Sequence, residues 1–205
     1  MDRAIAAGLA IVVLAMLGTR PAAAGGLEVW TTHSLEKTFP DTVKPAGASV
    51  TISLKLARNE AEDAQILVRT PKDVEVTRAA FTLPDLEGPG GARIPRENVS
   101  ASWVWYTYVL NNPKDNADPS TYLRRAPAFF PDAFLEEPAI RIRTEWTQPL
   151  WVTVRVPKGT PPGEYKGTLG IDVKEYTGEE SHFGVPIAVT VWPFTLPDEN
   201  RLRHT

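Results

Sequence analysis

The chain has 205 residues, with 22 Lys and Arg against 25 Asp and Glu for a formal charge of −3, and it contains no cysteine. A mildly acidic sequence without a long Lys/Arg cluster lacks the electrostatic footprint of a nucleic-acid binder, so nucleic acid is not expected as a partner. The missing thiols exclude a disulfide-rich small scaffold and a cysteine nucleophile, while the length suits one domain that can bury a core without staples.

The N-terminal segment sets the compartment. Arg3 precedes an apolar run from Ala4 to Leu17, and small residues follow, with Ala22 and Ala24 placed for an A-x-A cleavage site. The run is shorter than the roughly 20 residues of a spanning helix, and Arg20 and Pro21 close it. Residues 1–24 therefore read as a signal peptide, and residues 25–205 as a single exported domain, secreted or periplasmic, with no membrane span after cleavage.

Period-two alternation dominates the rest of the chain. A first strand is expected over 27–32. The clearest alternation follows, where Val50, Ile52, Leu54 and Leu56 interleave with Ser49, Thr51, Ser53 and Lys55. Further strands are expected over 63–70, 74–83 and 99–110. Within the last, Trp103 and Trp105 alternate with Val104, Tyr106 and Tyr108, so both faces are apolar or aromatic and both call for cover.

Residues 111–138 then carry Pro113, Pro119, Pro127, Pro131 and Pro138, together with Tyr122, Phe129, Phe130 and Phe134. This stretch reads as a long irregular insert that covers the Trp103 strand, since proline cannot donate to a ladder. Strands resume over 139–146, where Ile140 and Ile142 oppose Arg141 and Arg143. They continue with Leu150, Val152, Val154 and Val156, then Tyr165, Leu169, Ile171 and Val173, and then Phe183, Val185, Ile187, Val189 and Val191. The turns between them include Glu87-Gly88-Pro89-Gly90-Gly91, the stretch from Pro157 to Gly163, and Thr177-Gly178-Glu179-Glu180. Nine strands without a helical period of ten residues or more predict an all-β fold, an antiparallel β-sandwich, with a closed barrel as the other possibility.

Candidate chemistry is sparse. The acidic groups Glu60/Glu62/Asp63, Glu136/Glu137 and Glu179/Glu180 invite comparison with the paired carboxylates of glycosidases. Adjacent residues on a strand or hairpin point to opposite faces, and Glu179-Glu180 beside Gly178 reads as a solvated turn. Glu136/Glu137, next to Pro138 in the insert, is the pair that a weak enzyme would use. His33, His182 and His204 show no metal-ligand spacing. There is no G-x-S-x-G turn and no phosphate loop, and no cofactor or metal is implied. Asn98-Val99-Ser100 fits a glycosylation sequon, which has meaning only in a host that glycosylates there.

The aromatic residues remain. With six Trp in the chain, a row of Trp and Tyr on a sheet face can stack on sugar rings, although packing against a core or another domain uses the same residues. The expected contact residues, for a glycan or for a neighbouring domain, are Trp103, Trp105, Tyr106, Tyr122, Phe129, Phe130 and Phe134.

Three ordered motifs carry a family resemblance. They are Leu150-Trp151-Val152-Thr153-Val154-Arg155-Val156-Pro157, then Pro161-Pro162-Gly163-Glu164-Tyr165-Lys166-Gly167-Thr168-Leu169, then Val191-Trp192-Pro193-Phe194-Thr195-Leu196-Pro197. Ala57-Arg58-Asn59-Glu60 with Gln65, and Pro131-Asp132-Ala133-Phe134-Leu135, add to them. Over about residues 27–205 the sequence resembles the N-terminal β-sandwich of glycoside hydrolase family 123 and of related proteins with the same architecture. The resemblance implies that a (β/α)8 barrel follows, with an adjacent Asp and Glu that act with the N-acetyl group of an N-acetylgalactosamine-type substrate. No residue of this chain matches that pair, and Asn200–Thr205 lies where the first barrel strand would begin. The expectation is a non-catalytic accessory domain that braces such a barrel, with the insert aromatics and the Trp103 strand as docking surface. The alternative is a carbohydrate-binding module using the same aromatics.

Overall fold

The computed structural model describes residues 26–112, 118, 120 and 122–199. The expected signal peptide, His204 and the segment at Asn200–Thr205 lie outside the described residues, as do Pro113 and Pro119 of the insert.

Twelve strands occur among the described residues: β1 (Glu28–His33), β2 (Ile52–Arg58), β3 (Glu60–Arg69), β4 (Val76–Thr82), β5 (Leu86–Glu87), β6 (Arg93–Ile94), β7 (Val99–Val109), β8 (Ala128–Phe134), β9 (Ala139–Ile142), β10 (Thr147–Val156), β11 (Gly163–Glu175) and β12 (Glu180–Thr195). They form two sheets in the orders β1-β3-β10-β7-β8 and β2-β12-β11-β4-β9, with the short β5–β6 pair attached to β11. The fold is an all-β sandwich. All nine expected strands are present, and β5, β6 and β8 are additional. One pairing is parallel, that of β2 with β12; the others are antiparallel.

The core lies where the alternating residues of the two sheets meet. Ile66 and Val68 of β3, Leu150, Val152 and Val154 of β10, and Val99 and Trp103 of β7 pack against Leu169, Ile171 and Val173 of β11 and Val185, Ile187 and Val189 of β12. Burying each such side chain contributes roughly 1.5–3 kcal/mol, which is why the period-two pattern dictates the layers. Val50 is an exception to that pattern, because it falls outside β2 and is exposed.

The insert is more regular than its prolines suggest. Ala128–Phe134 pairs with β7 as an edge strand, and the register shifts between Val104 and Tyr106, where Tyr106 faces Pro131. An edge strand at a bulge has no second ladder to serve, so the N–H that proline lacks is not missed. Pro149 is accommodated differently. The β10–β7 pairing begins only at Leu150, and the Gln148 side-chain Nε2 donates to Val104 O in place of a backbone donor.

The cover of β7 also differs from expectation. Residues 34–48 cross the outer side of the first sheet, burying Thr38 and Phe39. The crossing is fastened by Gln65 Nε2, which donates to His33 O and Glu36 O, and by Thr147 Oγ1, which donates to Thr42 O. Tyr106 OH, 2.9 Å from Thr147 O and 3.2 Å from Thr38 O, joins the same network. Burial raises the Tyr106 phenol far above its ordinary pKa, so the hydroxyl stays a neutral donor.

Candidate functional site

Among the solvent-exposed aromatic side chains of the described residues, two groups lie toward opposite ends of β11. At one end of the sandwich, β12 runs past its last core residue, Val191, into Trp192 and Phe194. Their rings stack at 5.7 Å with 21° between planes, and they are 40% and 50% exposed. The backbone beneath them is held by Arg58, whose Nη2 donates to Pro193 O at 2.8 Å and whose Nε donates to Phe194 O at 3.5 Å. Asn59 Nδ2 donates to Leu196 O at 3.0 Å and to Asp198 Oδ1 at 3.2 Å. Lys158 pairs with Asp198, and this hydrogen bond holds the Asp198 carboxyl below the usual carboxylate range. The result is a pinned and exposed apolar step on a polar base.

The second region is the mouth between the sheets, where β7 and β8 of one sheet approach β9 of the other. Trp105, Tyr106, Phe129, Arg141, Arg143, Trp146 and Gln148 line a depression of about 100 Å3. An adjoining one of about 290 Å3 is lined by Trp105, Leu135, Glu137, Ile140, Arg141 and Gln148. Trp105, Arg141 and Gln148 are common to both. Trp146 forms the floor, edge-on to Tyr106 at 5.5 Å and to Phe129 at 5.3 Å, with the Arg143 guanidinium 5.4 Å from its ring.

The residues expected from sequence divide accordingly. Trp103 is 0% exposed and packs across the sandwich on Phe81 of β4 at 6.2 Å, so it is core and not a contact residue. Tyr106 is also buried, and it reaches the mouth only as part of its lining. Trp105, two residues beyond Trp103, is 55% exposed because the core ends between them. Phe129 joins the mouth and packs on Tyr108 at 4.9 Å. Phe130 instead turns to Phe39, edge-on at 5.8 Å, beneath Arg124, whose guanidinium stands 3.9 Å over the Phe39 ring and bonds Asp41 at 2.7 Å. That bond draws the Asp41 carboxyl below its ordinary range. Phe134 is exposed and packs on Trp151 of β10. Tyr122 is half-buried and is not among the residues that line the mouth.

The charged candidates separate as well. Glu180 pairs with Lys174 across the hairpin at 2.9 Å, and His182 Nδ1 lies 2.8 Å from Asp172. Glu60 closes a turn through Ala57 N. Glu136 and Glu137 lie between β8 and β9, and only Glu137 lines the mouth. Among the described residues no three His, Asp or Glu side chains group to hold a metal ion.

Residues 33–173 match the family described as the glycoside hydrolase 123 N-terminal domain. The chain belongs to this family. A family 123 glycoside hydrolase from Clostridium perfringens, described for glycolipid glycan hydrolysis, shares the fold with a TM-score of 0.66 at 15% identity. The match covers 83% of this chain and 28% of that one, so the chain spans little more than a quarter of its length. The ASH/PapD-like domain of human CEP192 aligns at TM-score 0.45 and 8% identity, covering 91% of this chain and 98% of that domain. A Porphyromonas gingivalis protein of unknown function aligns at TM-score 0.40 and 10% identity, over 80% and 47% of the respective chains. Both fall too low to bear on function. No curated protein matches the chain.

The motifs of this glycoside hydrolase 123 N-terminal domain have structural work to do. In Pro161–Leu169 the buried Tyr165 donates its hydroxyl to Pro161 O at 2.7 Å. At Gly167 an added Cβ would lie 2.6 Å from Asp85 O, so only glycine lets the segment before β5 approach β11. Ala57–Glu60 and Val191–Pro197, far apart in sequence, meet through Arg58 and Asn59. The exposed pair Trp192 and Phe194 was missed as a contact candidate because alternation ends at Val191, and nothing local distinguishes one more strand residue from the start of a protruding step.

Proposed function

We propose that this domain is the non-catalytic accessory part of an exported glycoside hydrolase, docking on and bracing a (β/α)8 catalytic barrel through the end of the sandwich that carries Trp192 and Phe194. The single observation that supports this reading is the stacked, exposed Trp192–Phe194 pair, fixed from behind by Arg58 and Asn59. Two large aromatic rings cost free energy in water, and a rigid backbone under them suits a permanent partner better than a mobile loop would. This face replaces the Trp103 strand as the docking surface, since Trp103 is spent on the core. Export is supported by the apolar run from Ala4 to Leu17 and its small-residue border.

The test has two arms. The purified chain is assayed with chromogenic N-acetylgalactosaminides, where no turnover is expected and measurable turnover would overturn the non-catalytic role. Sedimentation is then measured over a range of concentrations. The wild type is expected to self-associate through the uncovered step, and the Trp192→Ser, Phe194→Ser double variant to shift toward monomer. A wild type that stays monomeric and binds no more hydrophobic dye than the double variant would sink the docking face.

A further inference from the structure

The mouth around Trp105 lies at the other end of the molecule from the Trp192 step. Val76 pairs with Ile142 of β9 and with Glu175 at the end of β11, whereas Val191, next to Trp192, pairs with Gly163 at the start of β11. A strand of 13 residues separates the two by about 40 Å at roughly 3.3 Å per residue. One partner seated on the Trp192 step therefore leaves the mouth open, and a second role has to be sought for it.

The lining of the mouth fits a sugar better than it fits a protein. Its one open indole, Trp105, stands where the two depressions meet, so a ring lying on its face would extend into both. In the larger depression Leu135 and Ile140 add apolar wall, and the polar groups beside them are the Arg141 guanidinium as donor, the Glu137 carboxylate as acceptor and the Gln148 carboxamide. Among the described residues Arg141 is engaged at 3.8 Å by Glu75, with both side chains solvent-exposed, so its donors remain available. Small-molecule sites combine an aromatic wall with a few fixed polar groups in this way, and the larger depression approaches the lower end of the roughly 300–1,000 Å3 such sites span. Donor and acceptor stand side by side, which suits the neighbouring hydroxyls of an uncharged sugar. In the larger depression the charges of Arg141 and Glu137 offset one another, so it holds no surplus charge for a uronate or sulfate, while Arg143 of the smaller one lies against the Trp146 ring; a long apolar chain would strand Arg141 and Glu137 without partners.

We propose that the mouth between β7, β8 and β9 is a binding site for a neutral oligosaccharide, with Trp105 as the stacking platform, Arg141 and Glu137 as the flanking hydrogen-bonding groups, and the Gln148 carboxamide, its Nε2 already given to Val104 O, offering its oxygen alone. The site would hold a glycan at the end of the domain remote from the barrel-docking step, and it does not depend on the docking role.

The purified chain is titrated with chitotetraose, cellotetraose and a galactotetraose while tryptophan fluorescence is followed, with heparin as the acidic control. Saturable binding of at least one neutral tetrasaccharide is expected. Trp105→Ala and Arg141→Ala should each weaken it about tenfold or more, and Trp192→Ala should leave it unchanged. Circular dichroism confirms that the variants fold, which the exposure of all three side chains favours. No saturable change with any neutral probe would overturn the site, as would binding that survives in Trp105→Ala. Binding of heparin alone, lost at raised salt, would overturn the assignment to neutral sugars. Failure of the docking role reads out separately, in sedimentation, and leaves the fluorescence titration untouched.

Discussion

Glu60 Oε2 accepts the backbone N–H of Ala57 at 2.6 Å, closing the corner at which β2 turns into β3. Asn59, between them, adopts φ 64°, a left-handed conformation that asparagine tolerates better than most residues. Its own N–H donates to Val156 O at 2.7 Å. The corner thus fixes the residues that reach across to Pro193, Phe194 and Leu196. Glu60→Ala leaves the buried Ala57 N–H without its charged acceptor and is expected to cost about 1.5–3 kcal/mol. For a domain of this size that is a fall in Tm of roughly 2–4 °C per kcal/mol, measured by thermal denaturation. A Tm within 1 °C of wild type would show that water replaces the carboxylate at the corner.

Trp103 and Trp105 look equivalent in the sequence and differ in kind in the fold. Trp103→Ala opens a cavity in the sandwich and is expected to destabilise by about 3–5 kcal/mol. Trp105→Ala removes a half-exposed ring and should cost less than about 1 kcal/mol. Urea unfolding of both variants checks the difference. Similar midpoints would mean that the core does not end between the two residues.

This pair also shows what was legible beforehand. Strict alternation gave both layers of the sandwich, because a buried face imposes period two on every strand that contributes to it. It could not locate the bulge opposite Pro131, which is a property of how β7 and β8 pair and not of either strand alone. Nor could it give β8 itself, since proline forbids a central strand but is tolerated at an edge, and edge position is decided by sheet order. The loop over 34–48 escaped for a related reason: its anchors, Gln65, Tyr106 and Thr147, lie on three strands that are neighbours in the sheet but far apart in sequence. The Ala57–Glu60 motif was visible as a motif, while its role needed the contact with Leu196. As for the site, the aromatic residues were found, but which of them face solvent is settled by where the layers stop.

Glu175 sits buried at the end of β11, where the hairpin to β12 begins, and among the described residues its Oε1 has no hydrogen-bond partner. Burial, reinforced by the charge of Glu179, raises its pKa above the ordinary carboxylate value. A carboxyl raised in the fold favours the protonated form there, so its charge costs stability above the folded pKa, and this cost is relieved as pH falls through that value. Glu175→Gln should therefore stabilise the domain at neutral pH by about 1 kcal/mol. The gain should shrink as the pH falls toward 4 and the carboxyl becomes protonated in the fold. Thermal melts of both proteins between pH 4 and pH 8 test this. A gain that is constant with pH would assign it to packing and not to charge.

Tyr106 links the loop over 34–48 to the first sheet, and the link runs through a single hydroxyl proton. With Thr147 O at 2.9 Å and Thr38 O at 3.2 Å, the proton is shared between two buried carbonyls that have the phenol as their common side-chain donor. Tyr106→Phe keeps the ring, its edge-on contact with Trp146 and the packing volume, but leaves those carbonyls poorer by one donor. The expected cost is about 1–2 kcal/mol, since removing one partner of a buried hydrogen bond exposes the desolvation penalty of the other. Thr38 and Phe39 are held by the same network, so the loss should be local before it is global. Amide exchange in residues 38–42 should rise more than exchange in β11, whose hydrogen bonds lie in the opposite sheet. If exchange rose equally in both places, the loop would be part of the cooperative core, and the Trp103 layer would depend on it for more than cover.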